Sequence, residues 1–287
     1  MRYQAALHPD ELDCTDSLCR TESTGARLKA MADMPEPHPA LPWLQPGDPF
    51  PDPEQAWNTN SPAPGLLAAG GQLDVSTLRR AYSQGIFPWF SRGQPILWWS
   101  PDPRMVLQTR AFRLHPSLRK TIRRSCLSDQ IRIRMDHDFP AVIAACATSP
   151  RPGQQGTWIV ESMQSAYLEL HRAGLAHSVE TWIDGELAGG LYCVAIRGAV
   201  FGESMFHRQS DASKIALAAL VAFCLDRGIE QIDCQQNTRH LASLGAAEMP
   251  RRLFLQRVQR ALVQPPVKWE FDPIYWNHLI NFRPAGL

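Results

Sequence analysis

No stretch of the chain approaches the roughly 18 consecutive apolar residues that a membrane-spanning helix requires. The opening residues run into Pro9, Asp10 and Glu11 without an apolar core, so no secretory leader is expected. Cysteine is sparse and unpaired: seven residues, at positions 14, 19, 126, 146, 193, 224 and 234, form no CxxC pair and no His/Cys cluster. That pattern argues against a structural metal site and a disulfide framework, and it suits a reducing cytoplasm. A strong net charge is also lacking, at +1 overall.

The even total hides an uneven distribution. Residues 1 to 60 hold ten acids and four bases, whereas residues 104 to 134 hold nine bases and one acid, Asp129. Such a basic stretch points to a polyanionic partner, with a solvated face as the plain alternative. The composition, 44% apolar and 20% charged, is that of a globular protein. At 287 residues the chain can hold one large domain or two modest ones. Residues 1–39 are polar, acidic and aperiodic, and are expected to be disordered or loosely attached. A small α/β unit is expected over 40–110 and a larger one over 111–287.

Pro64 to Gly71 reads as a tight turn, followed by a helix capped by Asp74 or Ser76 and stopped by Gly85. The aromatic runs Ile86 to Phe90 and Ile96 to Trp99 read as short strands or loop, and a basic helix is expected from His115 to Arg124. Further on the pattern is cleaner. Met163, Ala166, Tyr167 and Leu170 share one face of a helix over 161–172. Asp184-Gly185 marks a hairpin between strands 176–183 and 187–196, and Arg197-Gly198 turns into a third strand ending at Phe206. Asp211 should cap a long helix over 212–226, and a last strand follows over 229–235. This is a mixed α/β order with a twisted sheet, the order of an N-acetyltransferase-like (GNAT-like) domain.

The crossover helix places the third and fourth of these strands parallel, with their carboxyl ends together, where ligands favour such sheets. Glu203, Asp233 and Gln235 can therefore converge, and strand alternation puts Asp233 and Gln235 on one face with Cys234 on the other. Three polar groups inside apolar strands are costly without a task, although each alone could serve an ion pair or end a strand. Cys234 has no neighbouring histidine to activate it, and His171, His177, His207 and His240 form no ligand-spaced set. The turn from Phe206 to Asp211 contains no glycine and ends in an acid, which argues against pyrophosphate and hence coenzyme A.

Taken in order, these motifs resemble the leucyl/phenylalanyl-tRNA–protein transferase family, the bacterial aminoacyltransferases of the N-end rule pathway. The resemblance runs from about Phe50 to Leu262. It rests on Pro64 to Gly71, Ala81-Tyr82 with Gly85 to Trp89, Leu97 to Arg104, Gly156 to Ile159, Ala176 to Glu180, Gly202 to Phe206, Asp211 to Lys214, Ile232 to Gln235, and His240-Leu241 with Ser243 to Ala246. It implies a small N-terminal domain joined to a GNAT-like one, with no metal and no coenzyme A. The implied substrates are leucyl- or phenylalanyl-tRNA, methionyl-tRNA less well, and proteins beginning with Arg or Lys. Val200 stands where the family usually has an aromatic residue, which could reshape the amino-acid pocket, and Gln72 where it usually has Asp.

On this resemblance Asp233 and Gln235 are the catalytic pair. Gln235 would accept from the attacking amine, and Asp233 would hold Gln235 or take the proton. Glu203 would bind the acceptor's cationic side chain or its amine. Met205, Leu217 and Ile232 would line the amino-acid pocket, with Leu191 and Leu220 beside them. Trp158, then Trp98 or Trp99, would stack the terminal adenosine. Lys120, Arg123 and Arg124 would meet tRNA phosphates. The competing expectations are a coenzyme A-dependent acyltransferase, a tRNA-dependent enzyme building cell-wall peptides, and a non-catalytic RNA-binding module.

Overall fold

Between Trp43 and Trp99 the chain alternates short apolar runs with Pro and Gly, and it folds into a four-stranded sheet in the computed structural model, which describes residues 40–128, 130–149 and 159–280. The expected helix 75–83 is preceded by two strands, β1 (Trp43–Leu44) and β2 (Leu66–Gly70). β2 therefore occupies most of the segment read as a turn. Its residues are buried on both faces, so they carry no alternation that would have marked a strand. In α1 (Val75–Ser83), Asp74 is the cap, accepting from the Thr77 amide at 2.6 Å. Gly85 ends the turn at φ +69°, and a Cβ there would lie 2.4 Å from Leu255 Cδ2, so both backbone and packing require glycine. β3 (Phe87–Pro88) and β4 (Leu97–Trp99) complete the sheet in the order β1-β2-β4-β3.

The larger sheet begins with β5 (Arg104–Gln108). The basic helix α2 (Pro116–Ser128), β6 (Ile131–Met135), α3 (Phe139–Thr148) and α4 (Glu161–Arg172) follow. Next come β7 (Ala176–Ile183), β8 (Glu186–Ile196), β9 (Ala199–His207), the crossover helix α5 (Ala212–Asp226) and β10 (Gln231–Gln235). The short helix α6 (Arg239–Ser243), β11 (Ala247–Met249) and α7 (Arg251–Leu262) close the series. The strand order is β11-β5-β10-β9-β8-β7-β6, with β10 parallel to β9 and every other pair antiparallel. Helix, antiparallel hairpin, third strand, crossover helix and parallel strand follow one another as expected, in a mixed α/β fold. β5 lies before residue 110 in the chain but pairs with β10 and β11 of this sheet.

Each face of the large sheet is covered. One apolar cluster joins Tyr192, Val194 and Phe201 to Leu66, Leu78 and Trp98 of the smaller sheet and α1. The other joins Leu191, Val200 and Ile232 to Leu118 and Ile122 of α2 and to α5. α5 sits close because it is rich in alanine: a Cβ on Gly189 of β8 would fall 2.7 Å from Ala212 Cβ. Asp211 departs from expectation. It occupies the cap position at φ +64° but makes no capping bond, and its carboxylate pairs with Lys214 Nζ at 2.8 Å.

Candidate active site

β9 and β10 align with Val200 opposite Ile232 and Phe201 opposite Asp233, so their carboxyl ends open side by side. Each strand carries one residue too many at that point. In β9, Ser204 pairs with Tyr192 and Gly202 with Cys193, which leaves Glu203 as the extra residue. In β10, Asp233 pairs with Val106 and Gln235 with Met105, which leaves Cys234 extra. Such bulges bend a strand and re-aim its side chains. Gln235 itself adopts φ +61°. These irregularities overturn the alternation expected from sequence: Asp233 and Gln235 do not share a face.

Gln235 joins Glu203 in a cleft of about 200 Å³. Leu191, Met205, Leu217, Leu220 and Ile232, the five residues that the resemblance placed in or beside an amino-acid pocket, form its apolar wall. Asp233 is 1% exposed and lies behind the strand, gripped by Arg104, itself 0% exposed. Arg104 Nε donates to Asp233 Oδ1 at 2.8 Å and Nη2 to Oδ2 at 2.6 Å, while Nη1 donates to Gly85 O at 3.1 Å. The guanidinium lies over the rings of Phe87 and Phe254. Arg104, counted by sequence within the basic stretch, is therefore core. Asp233 touches Gln235 only through the backbone, accepting from its amide at 2.9 Å.

The Gln235 side chain is held by Glu203 instead, its Nε2 donating to Oε1 at 2.8 Å. Tyr82 of α1 and Tyr167 of α4 also donate to Glu203, at 2.8 and 3.0 Å, and their hydroxyls meet one another. The two phenols supply two protons for three oxygen–oxygen contacts, so a proton on Glu203 would complete the triangle. Burial pushes Glu203 up to about 7, against the pull of the two phenols and of Arg104, with the Asp233 charge adding to the rise. Burial and the Glu203 charge raise both tyrosines well above the ordinary phenol range, so they remain donors. Sequence placed Tyr82 and Arg104 among the family motifs and Tyr167 on a helix face but assigned none of them to the site, because each comes from a distant segment.

Tyr192, Ser204, Cys234, Thr238, His240 and Leu241 complete the lining. Burial pushes the Cys234 thiol up to about 12, far from a reactive thiolate. His240, read from sequence as packing or surface, stands in this lining; partial burial, then Lys214 and His207, hold its imidazole below the usual range. The expected aromatic platforms are elsewhere. Trp98 is buried with Nε1 on Gly70 O at 2.9 Å, and Trp99 with Nε1 on Trp89 O at 2.7 Å, so neither offers a face to the cleft. Both side chains are spent on the core of the small sheet. Trp158 lies outside the described residues. Lys120, Arg123 and Arg124 share the exposed face of α2, opposite buried Leu118 and Ile122. Val200 is 3% exposed within the core cluster and does not line the cleft, so the expected effect on the pocket is not direct.

The turn into α5 is unsuited to pyrophosphate. The Arg208 and Gln209 amides are both spent on Ala188 O, and Asp211 stands at the helix start. Among the described residues no group of three or more His, Cys, Asp or Glu could hold a metal ion, and no helix is long and apolar enough to cross a membrane.

Comparison with known proteins agrees with this geometry. Residues 106–259 match the family described as leucyl/phenylalanyl-tRNA protein transferase, and residues 71–102 match the N-terminal domain of the same family. A leucyl/phenylalanyl-tRNA–protein transferase of Albidiferax ferrireducens is 65% identical over 243 residues, 85% of this chain and 96% of that protein. One of Polaromonas sp. is 58% identical over 257 residues, 90% of this chain and 100% of that protein. Among solved structures, a GCN5-related N-acetyltransferase-like protein from Streptococcus suis covers 61% of this chain and 63% of its own at 12% identity and a TM-score of 0.28, too slight a likeness to carry weight. Profile, identity and coverage agree: the chain belongs to the leucyl/phenylalanyl-tRNA–protein transferase family.

Proposed function

We propose that this chain transfers leucine or phenylalanine, methionine less well, from aminoacyl-tRNA to the N-terminal Arg or Lys of a protein, marking it for N-end rule degradation. The observation that carries this reading is the Glu203–Gln235 contact of 2.8 Å in a cleft walled by Met205, Leu217 and Ile232. The donor is an activated ester, so positioning can supply much of the rate without a covalent intermediate. An acceptor amine of pKa near ~8 is partly neutral at pH 7. Its nitrogen attacks the ester carbonyl, a C–N bond forms, and the C–O bond to the terminal ribose breaks. The proton lost by nitrogen ends on that ribose oxygen.

Gln235 has its Nε2 engaged by Glu203, which leaves Oε1 as the end that accepts from the attacking amine. Glu203, at about 7, is the titratable group placed to hold the proton in transit. Asp233 acts through position alone: neutralised by Arg104, it fixes the turn that presents Gln235. The leucine-and-methionine wall suits both Leu and Phe, since apolar pockets distinguish such side chains only modestly. Phosphates of the acceptor stem would meet Lys120, Arg123 and Arg124. The test is incubation with labelled phenylalanyl-tRNA and peptides beginning with Arg, Lys or Ala. Label should enter the first two; label in none, with acetyl-CoA accepted as donor, would replace this reading by a coenzyme A-dependent acyltransferase.

A further inference from the structure

The strands that open the cleft at their carboxyl ends meet a very different surface at their amino ends. There, two cavities of about 800 and 260 Å³ adjoin, sharing Val267 in their walls. Arg79, Arg80 and Arg197 line the larger, and Arg227, Arg257 and Arg260 the smaller. The larger has no carboxylate in its lining; the smaller has one, Glu230. Five of the six guanidiniums make no ion pair among the described residues, although Arg80 donates to Asp48 O at 2.9 Å and lies over Phe50, and Arg227 donates to the Tyr275 hydroxyl at 2.5 Å. Arg227 pairs loosely with Asp226 at 3.7 Å, and Arg197 donates to Gln264 O at 3.3 Å. The larger cavity also carries a flat aromatic wall, Trp269 stacked on His177 with centroids 4.1 Å apart.

Within this field of donors one buried acceptor has no partner. Gln231, at the first position of β10, is 9% exposed, and its Oε1 has no hydrogen-bond partner. It lines the smaller cavity beside Glu230. A buried carbonyl without a donor is costly, so its natural occupant supplies a hydroxyl or N–H. Arginine forks fit phosphate oxygens, and a ligand that offers phosphates together with hydroxyls is a ribonucleotide chain. An acidic peptide would also offer carboxylates and N–H groups; a ribonucleotide chain is favoured over it because the donor substrate in the reading above already is one.

We propose that this arginine face is a second binding surface for the aminoacyl-tRNA donor, gripping phosphates and a ribose hydroxyl away from the cleft. The proposal rests on the aminoacyl-tRNA reading above. From Gln231 to Gln235 the strand spans roughly 13 Å, about four stacked nucleotides at ~3.4 Å each, so one RNA can reach both ends. The surface is distinct from the exposed Lys120–Arg124 face of α2, a helix whose opposite side packs on β6 and α5.

The test uses the full chain with Arg79→Ala/Arg197→Ala/Arg260→Ala, three arginines remote from the cleft, and two donors: phenylalanyl-tRNA and phenylalanyl-adenosine, which lacks the RNA body. With phenylalanyl-tRNA, KM should rise on the order of tenfold and the salt slope of binding should flatten by about three. With phenylalanyl-adenosine, turnover should match wild type, which also shows that the variant is folded. Gln231→Leu should weaken tRNA binding while leaving the salt slope intact. Unchanged KM and slope for phenylalanyl-tRNA would overturn the proposal while leaving the aminoacyl-transfer reading standing. Unchanged tRNA binding with a raised KM for acidic acceptor proteins would overturn it in favour of a polypeptide partner. Failure of the wild-type protein to transfer from either donor would instead sink the underlying reading.

Discussion

Two carboxylates, buried Asp233 on β10 and half-buried Glu203 on β9, sit in opposite circumstances. Behind the strand, Asp233 meets a full positive charge in a two-pronged pair with Arg104. In front, Glu203 meets only neutral donors, from Tyr82, Tyr167 and Gln235. A carboxylate gripped by a guanidinium serves as a fixture; one solvated only by hydroxyls and an amide is left near the point where it can exchange a proton. The resemblance assigned Asp233 to hold Gln235 or take the proton, and Glu203 to bind the acceptor's side chain or amine; of these, Asp233 holds Gln235 through its backbone amide.

The contrast can be broken most severely from behind. Arg104→Met would strand Asp233 without its charge and should lower stability by about 3–5 kcal/mol, read from urea unfolding; Arg104→Met/Asp233→Leu should recover much of that loss. Wild-type stability in the single variant would show that the pair is not holding the strand. From the front, Gln235→Ala should reduce kcat roughly a hundredfold while shifting stability by less than about 0.5 kcal/mol. Unimpaired turnover would remove Gln235 from the chemistry.

Val200→Phe tests where the cleft stops. It should overpack the core and cost about 1–3 kcal/mol while leaving the preference between leucyl- and phenylalanyl-tRNA unchanged. A changed preference would place Val200 in the pocket after all. The smallest effect concerns pH. If Glu203 must be ionised to work, kcat should rise through pH 7, and Tyr82→Phe, by removing a donor to the carboxylate, should move that midpoint up by roughly one unit. Glu203→Gln should abolish the limb, leaving only that of the acceptor amine. The stability linkage has a fixed sign: a folded value raised from 4.5 to about 7 contributes stability that is full below the lower value and lost as pH rises through the higher.

What sequence could show followed the range of the interactions involved. α4, β7 and α5 were read to the residue because a 3.6-residue period, an Asp-Gly turn and closing glycines are local signals. The pocket wall was legible only through the family resemblance, which gives Met205, Leu217 and Ile232 to it. β2 and β5 were missed because both are short, buried runs without alternation. Asp233 was misplaced because a single extra residue, Cys234, inverts the faces that follow it. Arg104, 129 residues from Asp233, looked like one more base in a basic run. The arginine face was invisible for the same reason, its members coming from α1, the β8–β9 turn, the end of α5, and α7.

The origin of Tyr82 and Arg104 has a practical consequence. Both precede residue 110, yet each holds one of the two carboxylates in the later part of the chain. A chimera joining the front of one relative to the back of another would inherit these four positions from two parents, so 82 and 203, and 104 and 233, should be exchanged as matched couples. A fragment beginning at 111 would leave Asp233 without its cation and Glu203 with one donor fewer, and its expected fate is insolubility rather than a slower enzyme.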